Sequence, residues 1–172
     1  MKPAWIGELS APPLGLVWVA VSEQGLAAVG FEQDREAFER GLRRRGYDPL
    51  LYDPQQAGPA VQQIQEYLEG RRRSFDLPID WSALRPFQEQ VLRATFAVPY
   101  GQVTTYAQIA RQVGRPRAAR AVGRAEATNP MPLVIPCHRI IGTDGALHGY
   151  GGPGGIPTKA WLLEMETGSN AN

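Results

Sequence analysis

The 172-residue chain has a single cysteine, Cys137, so no internal disulfide can form. It has two histidines, His138 and His148, and neither lies in the first half. With so few soft ligands and no CxxC-type spacing, zinc is a poor reading, and a structural zinc in the N-terminal half is not expected. No apolar run approaches the ~18 residues of a membrane span. The start, Met1-Lys2-Pro3-Ala4-Trp5, lacks the continuous apolar stretch of a signal peptide. Both absences give the expectation of an intracellular, cytoplasmic protein without a membrane partner. Repeats and low-complexity segments are also missing. What is present, 43% hydrophobic and 20% charged residues, suits one globular domain or two small ones packed together.

The net charge of +1 hides an uneven distribution. Residues 1–84 carry 9 basic and 12 acidic side chains. Residues 85–139 carry eight arginines against only Glu89 and Glu126. Lys159 then faces Asp144, Glu164 and Glu166 in the remainder. A basic stretch between acidic flanks fits either a surface that meets an anion or a solvated arginine-rich face.

Local patterns predict the elements. Leu16–Val21 and Leu26–Phe31, joined by a short turn, read as a β-hairpin. Asp34 is placed to cap a helix running to about Arg45, and Pro59–Glu69 reads as a second helix. Ser74–Pro86 reads as a linker, and Phe87–Ala97 as a helix that buries Phe87, Val91 and Leu92. Thr105-Tyr106-Ala107-Gln108 is a capping box opening a short helix that ends near Gly114. Pro116 suits the first position of the next helix, Arg117–Ala125. Two short helices about a tight turn suggest a helix-turn-helix. Its second helix interleaves small residues, which allow close approach, with arginines that suit phosphates or a groove. An ordinary Ala-rich surface helix is the plainer reading.

Asn129-Pro130 stops that helix, and Met131-Pro132-Leu133-Val134-Ile135-Pro136-Cys137-His138-Arg139-Ile140 follows. The apolar approach suggests a buried cysteine, while the neighbouring His138 and Arg139 favour a reactive thiolate. His138 can accept the thiol proton directly or through a water. A carboxylate on the final helix, Glu164 or Glu166, would orient it.

Ile135-Pro136-Cys137-His138-Arg139-Ile140 resembles the active-site signature of the O6-alkylguanine-DNA alkyltransferases, the methylated-DNA–protein-cysteine methyltransferases. The resemblance spans roughly residues 86–166. Gly101-Gln102-Val103-Thr104-Thr105-Tyr106, Ala118-Ala119-Arg120-Ala121-Val122-Gly123, Asn129-Pro130 and Trp161-Leu162-Leu163 fall in family order.

The resemblance implies an α+β protein. An N-terminal α/β domain of hairpin sheet and helices would occupy residues 1–80, linker included. A mostly helical C-terminal domain with a winged-helix-like helix-turn-helix would occupy 81–168, and 169–172 would be a frayed tail. It also implies irreversible, single-turnover transfer of an alkyl group from O6-alkylguanine, and from O4-alkylthymine, to Cys137 without a cofactor. The partner would be double-stranded DNA, met by a monomer, with cooperative loading open. A base within the duplex must be flipped out to be reached.

By family position, Arg120 fills the gap in the stack and Tyr106 helps rotate and hold the base. Ala118, Ala119, Gly123, Arg115 and Thr143 join them at the DNA. Met131, Pro132, Ile140, Tyr150, Gly151 and Gly152 line the pocket. Asn129 is the hinge, and Cys137, His138 and Glu166 form a thiol–water–imidazole–carboxylate relay. The loop 149–157 is richer in Gly and Pro than in many members, which bears on the alkyl sizes accepted. Three rivals are a non-catalytic relative that binds alkylated DNA, a cysteine hydrolase and a plain transcription regulator. The first lacks the cysteine, the second leaves the arginine-bearing helix unused, and the third leaves Pro-Cys-His-Arg unused.

Overall fold

A computed structural model describes residues 1–150 and 154–168. The chain divides between Ala83 and Leu84 into two compact units. The expected pocket residues Gly151 and Gly152 and the expected tail 169–172 lie outside the described residues. No helix among the described residues is long and apolar enough to cross a membrane.

The first unit is a four-stranded sheet with two helices. Strands β1 (Lys2–Ala11), β2 (Gly15–Ser22), β3 (Gly25–Gly30) and β4 (Tyr47–Tyr52) stand in the order β3-β2-β1-β4. The predicted hairpin is β2–β3, antiparallel, with Val19 opposite Val29. β1 extends it antiparallel, and β4 joins β1 in parallel. Neither β1 nor β4 was expected. β1 carries Gly7 in mid-strand, and β4 carries Pro49, which an edge strand tolerates because its outer N–H needs no partner. Gly7 has a packing reason: a Cβ there would come within 2.9 Å of the Ala57 Cβ.

Helix α1 (Arg35–Arg44) is capped as expected, with Asp34 accepting from the Ala37 N–H. Its stripe of Phe38 and Leu42, one turn apart, joins Ile6, Trp18 and Tyr47 in the core. Helix α2 (Pro54–Leu68) starts earlier than the predicted Pro59. Asp53 caps it by accepting from the Gln55 and Gln56 N–H groups, and Pro54 stands in its first turn. Ala57, Ala60, Ile64 and Tyr67 form its buried face. The supposed linker is partly ordered by pairing, since Leu26 N–H donates to Pro78 O and Asp80 N–H to Leu26 O.

The second unit is mostly helical: α3 (Pro86–Phe96), α4 (Tyr106–Gln112), α5 (Ala119–Ala127) and α6 (Gly155–Thr167). Two-residue strands β5 (Thr104–Thr105) and β6 (Ile140–Ile141) pair in parallel. Val91, Ile109, Ala110, Val122 and Ile140 form its core, with Phe87 only half-buried beside them. The capping box is complete: Thr105 Oγ1 accepts from the Gln108 N–H, and Gln108 Oε1 accepts from the Thr105 N–H. α4 and α5 make the helix-turn-helix. α5 begins at Ala119 rather than Arg117, because Arg115–Ala118 is used in a turn closed by Ala118 N–H to Arg115 O. α6 begins at Gly155, so the last residues of the expected 149–157 loop are its first turn.

Candidate functional site

The segment 131–140 is buried without interruption. Asn129 fixes its approach from α5: its Nδ2 donates to Ile135 O at 2.9 Å, and its Oδ1 accepts from the Met131 N–H at 2.9 Å. Leu133 in between holds φ +74°, a conformation that non-glycine residues adopt at a cost. The chain then makes one 3-10 turn, Cys137–Arg139, which sends three successive side chains to different duties.

His138 and Arg139 converge on Glu166 from α6. His138 Nε2 lies 2.6 Å from Glu166 Oε2. Arg139 donates from Nε to Oε1 at 2.8 Å and from Nη2 to Oε2 at 2.9 Å, and the Gly101 N–H adds a fourth contact at 3.2 Å. Of the two carboxylates considered on α6, Glu166 is buried here and Glu164 is exposed. Burial lowers the His138 pKa against the opposing pull of Glu166, so the ring is neutral at neutral pH. Donation from Nε2–H to Glu166 sets the tautomer and puts the lone pair on Nδ1.

Cys137 is 4% exposed. Burial, then the nearby Glu126, pushes its thiol up to about 12, and the Asn129 amide and Lys159 only partly offset this. The expectation of a thiolate favoured by His138 and Arg139 is therefore corrected. His138 is neutral, and Arg139 is spent on Glu166 and the Val98 carbonyl. At rest the nucleophile is a thiol, and its proton must be removed during the reaction.

Two hollows with shared walls lie near this segment, and the smaller meets it at Cys137. The larger, about 720 Å³, is walled by Tyr106, Ala107, Ala119, Arg120, Gly123, Ala127, Thr143, His148 and Tyr150 among others, and does not touch the sulfur. A constricted cleft reaches it, lined by Tyr106, Gly123, Glu126, Ala127, Cys137, Gly149 and Tyr150. The shared walls make one path from the surface of α5 down to Cys137. Arg120, exposed, stands at its outer end.

The expected residues thus fall into three groups. Tyr106, Arg120, Ala119, Gly123, Thr143 and Tyr150 gather around the hollows. Arg115 and Ala118 lie on a separate shallow surface with Pro116 and Arg117, and the Arg115 guanidinium sits over the Phe87 ring at 5.6 Å. Met131 and Pro132 are in the packed interior and line neither hollow. Ile140 belongs to the core, and its carbonyl receives Lys159 Nζ at 2.6 Å.

Two residues of the site were not singled out from sequence. Lys159 on α6 is buried and donates to Ile140 O, His148 O and, at 3.3 Å, the Tyr106 hydroxyl oxygen. Burial lowers its pKa. With Tyr106 accepting from Lys159, the Tyr106 proton is left for another acceptor. Burial, Glu126 and Cys137 raise that phenol to about 12, so it stays a donor. Glu126 on α5 is also buried, and its Oε1 contacts Thr95 Oγ1. Burial raises its pKa to about 8. The signal for Glu126 was its spacing from Val122, i+4 on the inner face of an amphipathic helix.

Of the eight arginines in 85–139, the seven before Arg139 are exposed, and Arg139 is interior. A buried cysteine beside a neutral imidazole locked by a carboxylate, reached past an arginine-bearing helix-turn-helix, defines a nucleophilic transfer site built on a nucleic-acid-binding type of fold. The comparisons narrow that class. Residues 86–168 match the family model of the 6-O-methylguanine DNA methyltransferase DNA binding domain. Residues 8–81 match that of the 6-O-methylguanine DNA methyltransferase ribonuclease-like domain.

A methylated-DNA–protein-cysteine methyltransferase of Salmonella typhimurium is 41% identical over 164 residues, covering 92% of this chain and 94% of its own. The crystal structure of the Mycobacterium tuberculosis O6-methylguanine methyltransferase superposes with TM-score 0.77 at 36% identity, over 97% of this chain and 93% of that one. The same organism's OGT in complex with DNA gives TM-score 0.78 at 34% identity, over 95% and 92%. The chain belongs to the 6-O-methylguanine DNA methyltransferase family.

Proposed function

We propose that this protein repairs DNA by direct reversal, moving the alkyl group of an O6-alkylguanine onto Cys137 in a single irreversible turnover. DNA binding and transfer both belong to the second unit, and one chain serves one lesion wherever genomic DNA is held. The supporting observation is the placement of the Cys137 thiol at the end of the cleft, next in chain to a neutral His138 whose tautomer Glu166 sets.

The thiol proton passes toward His138 Nδ1, directly or through a water. Sulfur attacks the alkyl carbon, a C–S bond forms, the C–O6 bond breaks, and the electron pair leaves with guanine. The proton from the thiol restores the neutral base, so charge and atoms balance. Tyr106, held as a donor by Lys159, stabilises the negative charge developing on the leaving guanine. The exposed Arg120 at the outer end of the path fills the space vacated by the flipped base. Arg111, Arg117 and Arg124, exposed on or beside the same two helices, hold the phosphates and make binding weaken as salt rises.

Mass spectrometry after mixing with a duplex containing O6-methylguanine tests this. One methyl per chain, on Cys137, is expected, and none from Cys137→Ala. Arg120→Ala should slow repair of the duplex far more than reaction with free O6-benzylguanine, because a free base needs no flipping. Sustained turnover, or transfer to another residue, would overturn the reading.

A further inference from the structure

The cleft at Cys137 is not lined as an apolar pocket for a bare methyl group would be. Glu126 Oε2 and the Tyr150 hydroxyl are both shielded from solvent and have no hydrogen-bond partner among the described residues. Both residues line the cleft that contains the Cys137 sulfur. Buried polar atoms without partners are uncommon in folded proteins, and two on the wall of one cleft point to a ligand that supplies the missing bonds.

The chemistry of that ligand follows from the protons. The Thr95 hydroxyl carries one proton and contacts two acceptors, Val91 O at 3.0 Å and Glu126 Oε1. When that proton goes to Val91, the contact with Glu126 is satisfied by a proton on Oε1. Burial favours the same neutral carboxyl. Oε2 of Glu126 is then a carbonyl-type acceptor, and the Tyr150 O–H, held protonated by burial, is a donor on another residue lining the same cleft. One acceptor and one donor fit a group that is itself both, which is an alcohol.

We propose that the cleft selects alkyl groups bearing a hydroxyl, of which O6-(2-hydroxyethyl)guanine is the fitting substrate. The adduct's O–H donates to Glu126 Oε2 and its oxygen accepts from Tyr150. This rests on Cys137 being the alkyl acceptor. The displacement is unchanged: the C–O6 bond breaks, a C–S bond forms, and the product is S-(2-hydroxyethyl)cysteine. An O6-propyl group has the same number of heavy atoms but cannot make the two bonds. An O6-carboxymethyl group is anionic and turns an acceptor toward Oε2.

The test compares single-turnover rates on duplexes that differ only in the O6 group: methyl, 2-hydroxyethyl, propyl and carboxymethyl. For the unaltered protein, hydroxyethyl should exceed propyl by about tenfold, the factor of one good hydrogen bond. It should also exceed carboxymethyl. The hydroxyethyl-to-propyl ratio is the readout in variants, because a general loss of activity cancels in it. Glu126→Met should bring the ratio near one, and Tyr150→Phe should lower it. Glu126→Gln should keep it, since the amide N–H can face Thr95 while the amide oxygen faces the cleft. Equal rates on hydroxyethyl and propyl, faster carboxymethyl transfer, or a ratio unaltered by Glu126→Met would each overturn the proposal. Those outcomes leave methyl transfer intact. Absence of methyl transfer to Cys137 would instead overturn the function and this proposal together.

Discussion

Asp80 in the first unit and Glu126 in the second are both buried carboxyl groups, 1% and 4% exposed, and they have opposite surroundings. Asp80 accepts from the Ser22 hydroxyl, the Tyr47 hydroxyl, the Ser82 N–H and the Ser82 hydroxyl. Although burial opposes ionisation, these bonds hold its pKa below the ordinary value. Among the described residues Glu126 is bonded through Oε1 to Thr95, its Oε2 has no hydrogen-bond partner, and the residue lines the cleft. Burial then dominates and raises its pKa to about 8.

A carboxylate bonded on every side ties elements together. Here it joins β2, β4 and the strap after residue 78. A carboxyl left half-bonded is costly unless something else completes it. Glu166, 6% exposed and met by four donors, resembles Asp80 in bonding but holds His138, the residue next in chain to Cys137. Its full bonding is how it orients His138.

The comparison breaks most visibly at Glu166. Glu166→Ala should cost about 3–5 kcal/mol of stability, because Arg139 and His138 lose their buried partner. That is a large share of the roughly 5–15 kcal/mol that holds a domain together. In whatever folded protein remains, methyl transfer should slow by about 10²–10⁴-fold, as expected when a general base loses its orientation. Chemical denaturation and single-turnover assays would check both. A normal rate in a destabilised protein would leave Glu166 a tether like Asp80.

These three groups were unequally legible from sequence. Glu166 was one of two candidates because His138 demanded a carboxylate and the final helix offered two. The capping box and the Cys137–His138 pair were legible because their partners are near in sequence. Asp80 lay in what read as a linker, since its donors, Ser22 and Tyr47, are brought in by the sheet. Glu126 lay just past the predicted end of its helix at Ala125, and Glu126 and Lys159 entered the sequence reading only as charges. Both are interior because α5 and α6 turn those faces toward the segment 131–140. β4 was hidden by Pro49, and the start of α2 by the second of its two prolines. The reactivity of Cys137 was misread because charge in the neighbouring sequence does not reveal where Arg139 points.

Glu126 and Asp80 should tilt stability with pH in opposite directions. Glu126 titrates near 8 in the folded protein and near ~4.3 when unfolded. Because the folded value is raised, its contribution is full below the unfolded pKa and falls as pH rises toward 8. Glu126→Gln removes this loss. The variant should match the parent near pH 4 and gain on it up to about pH 8, by on the order of a few kcal/mol at about 1.4 per pKa unit. Asp80 has a lowered pKa, so its contribution is present above ~3.9 and is lost as pH falls through the folded value. Asp80→Asn should therefore cost most at neutral pH and least in acid. Denaturation midpoints across pH would check the pair, and a Glu126→Gln difference that does not vary with pH would mean that the folded protein holds Glu126 ionised.

The finest contrast removes one oxygen from each unit. Tyr47 donates its hydroxyl to Asp80 at 2.9 Å, whereas the Tyr150 hydroxyl is buried without a partner among the described residues. Phenylalanine keeps the ring and nearly all the volume in both places, so packing terms largely cancel. Tyr47→Phe removes a hydrogen bond to a charged acceptor and should cost about 1.5–3 kcal/mol. Tyr150→Phe removes a hydroxyl that is shielded from water and has no hydrogen-bond partner among the described residues. It should change stability by less than about 0.5 kcal/mol, or raise it, since removing an unsatisfied buried polar atom recovers its desolvation cost. Thermal or urea melts of the two variants, without DNA, would measure the difference. A cost above about 1 kcal/mol for Tyr150→Phe would mean that the hydroxyl is already bonded in the free protein. The cleft would then have one vacant bonding atom at Glu126 rather than two, and a hydroxyl on the alkyl group would gain only its bond to Oε2.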